Sequence, residues 1–430
     1  MFIISKFRIL TRSVGVTLIT FFVAFGCKAS TMTLTFPPQL QRAIWIGDSN
    51  AITSLDKSQP LVAKFLASEA GGYFDGLKAY NKCDFVKKQA GPTRTLICRM
   101  LLAGLYFSQG DIPALANDEL LGSGSLRKFE IASGRSNLQV PQFEVLSSPV
   151  TAIGLPSPQF HVHNQVSIIH WDINCPLKHE VAINIDNHNV CFKVDLGNNR
   201  SLISAQSAKK ASLNFLKSRE ISGQFRNGHF LSVPIAYAAN LKIGRITAKN
   251  IYFAVEASSS VSSAYNSLGL DFLMHLGSIK FEKDGIVINA HSDSHRSCAP
   301  IAYGLTSGFT LRGILLPVDI NDVGVYLMID SGSSLGLLLY DGGIVADLNP
   351  VGTIRGFANG INVPREGWAY MVSTDFLGIS RLKTYAGLSL WGDPAHFKGP
   401  IVGSIGLPLL QQVNFLVDFA RHKVCTSIQK

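Results

Sequence analysis

The chain has 430 residues, of which 47% are hydrophobic and 16% are charged. This balance excludes a disordered chain and allows about two to four domains with buried cores. The formal net charge is +10, but no run of Lys and Arg interleaved with aromatic residues stands out, so the charge indicates a solvated basic surface and no nucleic-acid partner.

The N-terminus has the pattern of an export signal. A basic stretch precedes the apolar run 14–26, which is too short to span a membrane comfortably, and we expect residues 1–26 to be a signal peptide. The context VAFGC, ending at Cys27, resembles the lipobox of bacterial lipoproteins. Two outcomes stay open: an ordinary signal-peptidase cut, or lipidation at Cys27 with membrane anchoring. Either way we expect an exported bacterial protein, periplasmic or membrane-anchored.

Six further cysteines follow the signal: Cys83, Cys98, Cys175, Cys191, Cys298 and Cys425. An even number in an exported chain permits disulfides but does not fix their pairing. Cys83 with Cys98 is the favoured local pair, and the rest stay open between disulfides and buried thiols. None has the spacing of a zinc site, so we predict no metal.

Residues 38–140 have helical rather than strand patterning, because apolar residues recur at spacings of three and four. The stretch LLAGLYFSQGDIPALA, residues 101–116, resembles one helix–turn–helix unit of a tetratricopeptide array, although stable arrays need several units. We predict a small α-helical domain with a hypothetical role in protein docking. The Ser-, Pro- and Gly-rich stretch that follows assigns residues 147–180 to a linker and entry strands.

From residue 181 onward, short alternating runs separated by turn residues predict an all-β region. This region contains an internal repeat of three segments in the same order: VCFKVDLGNNRSLIS (190–204) with VGVYLMIDSGSSLGLLL (323–339), SGQFRNG (222–228) with RGFANG (355–360), and SLGLDFLMHLGSIKF (267–281) with SIGLPLLQQVNFLVDF (404–419). The interval from Asp195 to Gly269 is 74 residues, and that from Asp330 to Gly406 is 76. The repeat predicts two copies of one β module, at 181–290 and 310–430.

Each copy has an aspartate at the end of a β run, Asp195 or Asp330, with a glycine two residues later. If the modules pack about a pseudo-two-fold axis, the two carboxyls meet there and hold one proton between them. The ionised member can then take a proton from a water while the protonated member donates to a scissile carbonyl. The residues expected to support the two carboxylates are Gly197, Ser331, Gly332 and Ser333.

The second repeated segment fits the tip of a hairpin that closes over a bound peptide and excludes water. The candidate substrate-binding residues are Gly223, Phe225 and Gly228 in the first module and Gly356, Phe357 and Gly360 in the second. Packing of hairpin aromatics is an equally good account of the two phenylalanines.

These motifs resemble the retropepsin-like aspartic proteases, here in tandem as in the two-lobed pepsins. Asp-Ser-Gly at 330–332 matches the catalytic triplet, DLGNN resembles the first triplet, and LGLDFL and IGLPLL resemble the apolar-apolar-Gly strand behind each aspartate. Over residues 181–430 the resemblance implies a mainly β fold of two β-barrel lobes in a pepsin-like unit. It also implies a peptide or protein substrate and no metal or organic cofactor. The resulting prediction is an exported aspartic-type endopeptidase.

Two residues depart from the family pattern. Leu196 stands where the family has Thr or Ser, whose hydroxyl braces the two loops against each other, and Asn198 replaces the usual small residue. Leu196 raises the hypotheses of reduced activity, a shifted pH optimum, or loss of catalysis. The chief alternative function is therefore a peptide-binding protein that no longer cuts.

A serine hydrolase is the other enzymatic alternative, because Gly332–Gly336 matches the G-x-S-x-G nucleophile elbow with Ser334 as the nucleophile. That motif needs a helix directly after the serine, and LGLLLYDGGIV (335–345) lacks helical patterning. We therefore favour it less. An interaction scaffold that uses the helical region is a third class of function.

Overall fold

The structure, a computed structural model, describes residues 32–35, 104–117, 129–132, 154–162, 165–216, 221–224, 230–256, 266–290, 297–305, 311–340, 342–358, 361–389 and 401–427. Strands account for most of these residues and the helices among them are short. The predicted mainly β fold with two tandem lobes is confirmed.

The described strands up to residue 288 are β1 (Met32–Thr35), β2 (Phe129–Ala132), β3 (Gln159–His161), β4 (Ser167–His170), β5 (Glu180–Ile185), β6 (His188–Val194), β7 (Leu202–Ser204), β8 (Asn214–Phe215), β9 (Ile221–Gln224), β10 (Phe230–Val233), β11 (Ile235–Ile243), β12 (Ile246–Glu256), β13 (Ser267–Leu268), β14 (Ser278–Glu282) and β15 (Gly285–Ile288). Those that follow are β16 (Ser297–Pro300), β17 (Ala302–Leu305), β18 (Leu311–Ile320), β19 (Val323–Asp330), β20 (Leu337–Leu339), β21 (Gly352–Ala358), β22 (Ile361–Phe376), β23 (Ile379–Ser389), β24 (Ile401–Gly406), β25 (Leu416–Asp418) and β26 (Lys423–Thr426). Within the described residues, the labelled helices are α1 (Ile112–Asn117), α2 (Ala205–Lys210), α3 (Leu270–Leu273) and α4 (Leu407–Gln412), with 3₁₀ turns at Met274–Leu276 and Gly342–Val345. No helix in the described part of the chain is long and apolar enough to cross a membrane.

Each lobe is built on a sheet of eight strands. The strand order is β3-β12-β7-β13-β6-β5-β11-β8 in the first lobe and β17-β18-β19-β24-β20-β23-β22-β21 in the second. A six-stranded sheet, β16-β26-β25-β14-β15-β4, joins the lobes through the pairing of β14 with β25. The segment predicted as linker and entry strands, 147–180, supplies β3 to the first lobe's sheet and β4 to the six-stranded sheet.

Both lobes contain the same hairpin before the aspartate. β5 and β6 are joined by Asp186 and Asn187, with φ angles of 44° and 71°, and β18 and β19 are joined by Asn321 and Asp322, with 49° and 65°. Two successive positive φ angles suit a two-residue type I′ turn, and Asn and Asp enter this region more readily than other non-glycine residues. The repeat therefore extends upstream of the motifs seen in the sequence.

Alternation along the two aspartate-bearing strands separates the core side from the site. The buried core residues are Val190, Phe192 and Val194 in β6 and Val325, Leu327 and Ile329 in β19. Since successive side chains point to opposite faces of a strand, Asp195 shares its face with Lys193, and Asp330 shares its face with Met328. The period of two thus fixes which neighbours accompany each aspartate.

Residues 104–117 pack against the first lobe. Residues 104–108 are helical and lead through a turn into α1, and an apolar cluster connects this segment with β11 and β12: Phe107, Ile112, Leu115, Ala116, Ile235 and Tyr252. β2 also falls within the predicted helical domain 38–140 and pairs in parallel with β1. The remainder of that domain lies outside the described residues, and the helical-domain assignment stays a prediction.

Two disulfides are present in the described part of the chain, Cys175–Cys191 and Cys298–Cys425. The first ties the segment before β5 to β6, and the second joins β16 to β26. Glu180 lies close to the first pair, but sulfurs bonded to each other are not thiolate ligands for a metal. Cys27, Cys83 and Cys98 lie outside the described residues.

Candidate active site

The two aspartates end equivalent strands. Asp195 directly follows β6, which pairs in parallel with β13, and Asp330 ends β19, which pairs in parallel with β24. Each chain then turns at once: the amide of Asn198 donates to the carbonyl of Asp195 at 3.3 Å, and the amide of Ser333 donates to the carbonyl of Asp330 at 3.0 Å. The two loops have the same local structure, as the repeat predicts.

Each carboxyl lies against the glycine of the opposite loop. A Cβ built on Gly197 would be 2.6 Å from Oδ1 of Asp330, and one built on Gly332 would be 2.7 Å from Oδ1 of Asp195. Side chains do not fit at such distances, so the loops approach this closely only because both residues are glycine. The structure therefore brings these four predicted site residues together at the junction of the lobes.

Asp195 is almost fully buried, with 3% of its surface exposed. Its Oδ1 accepts from the amide of Gly197 at 2.9 Å, and its Oδ2 accepts from Nδ2 of Asn198 at 2.8 Å. Asn198 also donates to Oγ of Ser267 at 3.0 Å. Asn198, which the sequence presented only as a departure from the family pattern, thus holds the Asp195 carboxyl in one orientation.

Ser331 braces the first loop from the second. Its buried Oγ accepts from the amide of Leu196 at 2.9 Å and donates to the carbonyl of Val194 at 2.7 Å. The pseudo-symmetric position is Leu196, which is fully buried in the apolar core and has no hydroxyl to return these bonds. One half of the brace expected from the family resemblance is present, and the other half is missing.

Ser333 connects the second loop to α4. Its Oγ accepts from the amide of Leu335 at 3.3 Å, and its carbonyl accepts from the amide of Leu407 at 3.1 Å. The following Ser334 is exposed, and the chain continues into β20 rather than into a helix. The strand–Ser–helix context that a nucleophile elbow requires is therefore not formed here.

The predicted flap segments belong to two antiparallel hairpins. Gly223 lies in β9, which pairs with β10, and Gly356 and Phe357 lie in β21, which pairs with β22. Three of the predicted tip residues lie outside the described residues: Phe225, Gly228 and Gly360. The hairpin arms are thus found in both lobes, and contact of their tips with substrate stays a prediction.

A buried carboxylate and a lysine on strands β5 and β6 were missed in the sequence. Glu180 is fully buried and lies directly opposite Lys193. Its Oε2 accepts from the amide of Leu177 at 3.0 Å, and its Oε1 has no hydrogen-bond partner. Burial raises the pKa of the Glu180 carboxyl, and the Leu177 hydrogen bond and the charge of Lys193 oppose that shift. A Glu at the start of β5 and a Lys two residues before Asp195 in β6 are the sequence signal that could have indicated this pair.

We expect Glu180→Gln to change the pH dependence of stability. With a raised folded-state pKa, the stabilising contribution of Glu180 is complete below its usual value of 4.5 and is lost as pH rises through the raised value. The free energy of unfolding of the variant, relative to wild type, should therefore increase from about pH 4 to about pH 7. Urea unfolding at the two pH values measures this difference, with the exposed Asp347→Asn as the control. A pH-independent difference for Glu180→Gln would contradict the prediction.

A buried ion pair stabilises the first loop, and the equivalent positions of the second module are apolar. Nη1 of Arg200 donates to Oδ2 of Asp271 at 2.7 Å, and Oγ of Ser201 donates to Oδ1 of the same carboxylate at 2.7 Å. The corresponding residues of the second module are Leu335 and Pro408. The sequence repeat did not reveal this pair, because its two members are 71 residues apart and neither has a charged counterpart.

Asp271→Asn is expected to lower the free energy of unfolding by about 3–5 kcal/mol, because it leaves the buried Arg200 guanidinium without a counter-charge. Denaturant unfolding measures the loss. Arg200→Met combined with Asp271→Asn leaves no unpaired charge and should recover part of the stability. If the double variant were less stable than Asp271→Asn alone, an unpaired Arg200 would not be the cause.

Comparison with known proteins finds a family match over part of the chain. Residues 181–272 match the family model described as "Aspartyl protease", so the resemblance seen in the sequence is confirmed over that range. Among solved structures, the chain is similar to an aspartic proteinase from Irpex lacteus, with 12% identity, a TM-score of 0.40, and coverage of 62% of this chain and 98% of that chain. A comparison with curated proteins finds no match.

Proposed function

From the match of residues 181–272 to the aspartyl protease family, we propose that this protein is an aspartic endopeptidase that hydrolyses peptide bonds with a water activated by Asp195 and Asp330. The observation that carries the proposal is the contact of each carboxyl with the glycine of the opposite loop. This arrangement is what a shared-carboxylate site needs, and the equivalent strands of the two lobes supply one carboxyl each.

The chemistry follows from the proximity of the two carboxyls. Because two adjacent carboxylates repel, the pair retains one proton over a range of pH, and that proton belongs to the pair rather than to one residue. The ionised member removes a proton from water as the oxygen attacks the scissile carbonyl carbon, and the protonated member donates to the carbonyl oxygen. Gly197 and Asn198 orient the Asp195 carboxyl, and Ser331 ties the loop of Asp195 to that of Asp330.

A peptide or protein substrate fits this site best. The β9–β10 and β21–β22 hairpins follow the two aspartate loops in the chain, and closure of both over a bound peptide would exclude water from the reaction. No organic cofactor or metal is required, because the two carboxyls and the water supply every proton-transfer step.

Export is supported by the two disulfides, Cys175–Cys191 and Cys298–Cys425, since disulfides persist in oxidising compartments such as the bacterial periplasm. We propose a periplasmic or membrane-anchored location, with lipidation at Cys27 as the route to anchoring. Docking of another protein on the N-terminal helical segment remains a further proposal.

The second candidate is a peptide-binding protein that does not cut, and the observation that favours it is Leu196. Ser331 hydrogen-bonds the first loop, but the side chain of Leu196 cannot make the equivalent hydrogen bonds to the second loop. The second loop therefore lacks its half of the brace. The two candidates share a cleft and differ only in whether the dyad reaches a working geometry.

Incubation of the purified chain with a peptide library from acid to neutral pH tests the proposal. We expect cleavage that a peptide with a hydroxyl-bearing tetrahedral isostere inhibits, because that group mimics the attacked carbonyl. Ser334→Ala is the matched control for the serine-hydrolase alternative and should cleave normally. Binding of peptides without cleavage at any pH would favour the second candidate.

A further inference from the structure

Lys193 makes a contact between the two lobes beside the proposed dyad. It lies two residues before Asp195 on the same face of β6, is half-buried, and its Nζ donates to the carbonyl of Gly332 at 3.1 Å. Gly332 is the residue that packs on the Asp195 carboxyl. This hydrogen bond therefore joins the strand of the first aspartate to the loop of the second.

Lys193 lies in the lobe that lacks a hydroxyl at residue 196. The second lobe has Ser331 as its brace and Met328, which has no strong hydrogen-bond donor, two residues before its aspartate. The first lobe has Leu196 in place of a hydroxyl and Lys193 two residues before its aspartate. Each lobe thus carries one side chain that reaches across to the other loop, Ser331 in one direction and Lys193 in the opposite direction.

We propose that Lys193 is a positioning residue that replaces the missing brace of residue 196 and holds the loop of Asp330 in place against Asp195. The inference rests on the proposed aspartic protease function and names how that site is held. A hydrogen bond from a charged donor is stronger than one from a neutral hydroxyl, so a single bond from Lys193 can take the place of the bonds that a threonine would make.

The environment of Lys193 favours this arrangement. Glu180, directly opposite on β5, is fully buried, and the charge of Lys193 opposes the rise that burial causes in the pKa of its carboxyl, so the two groups attract each other across the strand pair. The disulfide Cys175–Cys191 fixes the segment before Glu180 to the strand of Lys193. Both partners are thus held on rigid elements of the first lobe.

Substitution of Lys193 tests the proposal in the peptide-cleavage assay. Lys193→Met keeps the length of the side chain and removes the donor, and we expect kcat to fall about 10- to 100-fold with little change in KM, because the dyad is displaced while the substrate cleft remains. Lys193→Arg keeps a charged donor and should restore most of the rate. Lys242→Met on β11, which is exposed in the same lobe, is the control and should cleave like wild type.

Leu196→Thr in the Lys193→Met background separates positioning from general stability. The introduced threonine supplies the hydroxyl by the same symmetry that Ser331 uses, so the cleavage rate of this double variant should recover. Because Leu196 is fully buried, the same change should lower the thermal unfolding midpoint. If Lys193 only stabilised the fold, the double variant would be less stable than Lys193→Met and would not be more active. Wild-type kcat in Lys193→Met, or a loss that neither Arg nor Thr restores, would overturn the proposal.

Hydrogen exchange tests the role of Lys193 without relying on peptide cleavage, so this inference and the proposed function can fail separately. Amides of residues 331–336 should exchange faster in Lys193→Met than in wild type and slow again in the double variant. If wild type cleaves no peptide but shows this pattern, the endopeptidase proposal fails and Lys193 is still the brace. If exchange is unchanged in Lys193→Met, the proposed role of Lys193 is wrong, whether or not the protein cleaves peptides.

Discussion

Asp330→Asn is expected to lower kcat by about a thousandfold, since loss of a general acid–base typically costs about 10²- to 10⁴-fold. Asparagine has nearly the shape of aspartate and can lie against Gly197 as Asp330 does, so the junction of the lobes should stay intact. The amide can neither ionise nor share a proton with Asp195, and so no group remains to complete the proton transfer. Steady-state cleavage of the best library peptide, with thermal unfolding of the same preparations, measures the effect.

The control lies at the other end of the same strand. Asp322 is exposed in the turn before β19 and has a φ of 65°, a conformation that asparagine adopts equally well, so Asp322→Asn should leave both rate and stability unchanged. Asp195→Asn should be as damaging as Asp330→Asn, because the two carboxyls act as one unit. A large loss in only one of the two variants would argue against a shared dyad.

The internal repeat made most of the β fold predictable from the sequence. Asp195 and Asp330 each end an apolar run and precede a turn, and that local pattern was sufficient to place them at equivalent strand ends. The nearly equal intervals to Gly269 and Gly406 further indicated two copies of one module, and the family resemblance implied a strand behind each aspartate. The parallel pairings of β6 with β13 and of β19 with β24 have this geometry.

Among the contacts between the lobes, the Ser331 brace was expected only from the family resemblance, and the contact of Lys193 was not expected at all. The hydrogen bond from Leu196 to Ser331 joins residues 135 positions apart, and that from Lys193 to Gly332 joins residues 139 apart. A sequence shows which side chains can donate, but whether they meet depends on how the two lobes pack against each other. For this reason Leu196 was interpreted only as a loss, and Lys193 was not identified.

The pairing of β4 was also not predictable from the sequence, for a physical reason. β4 has only four residues, SIIH, which is too short to give a convincing alternation. Its partner β15 lies more than a hundred residues later in the chain. The disulfides illustrate the same point, since Cys298 and Cys425 are 127 residues apart and only the pairing of β16 with β26 brings them together.

Gly332→Ala is expected to reduce kcat by at least about a hundredfold. The new methyl group would lie 2.7 Å from Oδ1 of Asp195, closer than non-bonded atoms approach. Asp195 cannot turn away without leaving its hydrogen bonds to Gly197 and Asn198. The loop must therefore move, which separates the carboxyls, and overpacking of this kind should also lower the free energy of unfolding by about 1–3 kcal/mol.

Gly336→Ala, four residues later in the same loop, is the matched control. A Cβ there would have its nearest neighbours at 3.7 Å, Cβ of Leu409 and Oγ1 of Thr384, which is ordinary packing distance. It should cleave peptides like wild type, so a selective effect of Gly332→Ala would report on the contact with Asp195 and not on loop rigidity. Full activity in Gly332→Ala would mean that the Asp195 carboxyl does not lie against the second loop in the working protein. The shared dyad would then lose the observation on which it rests.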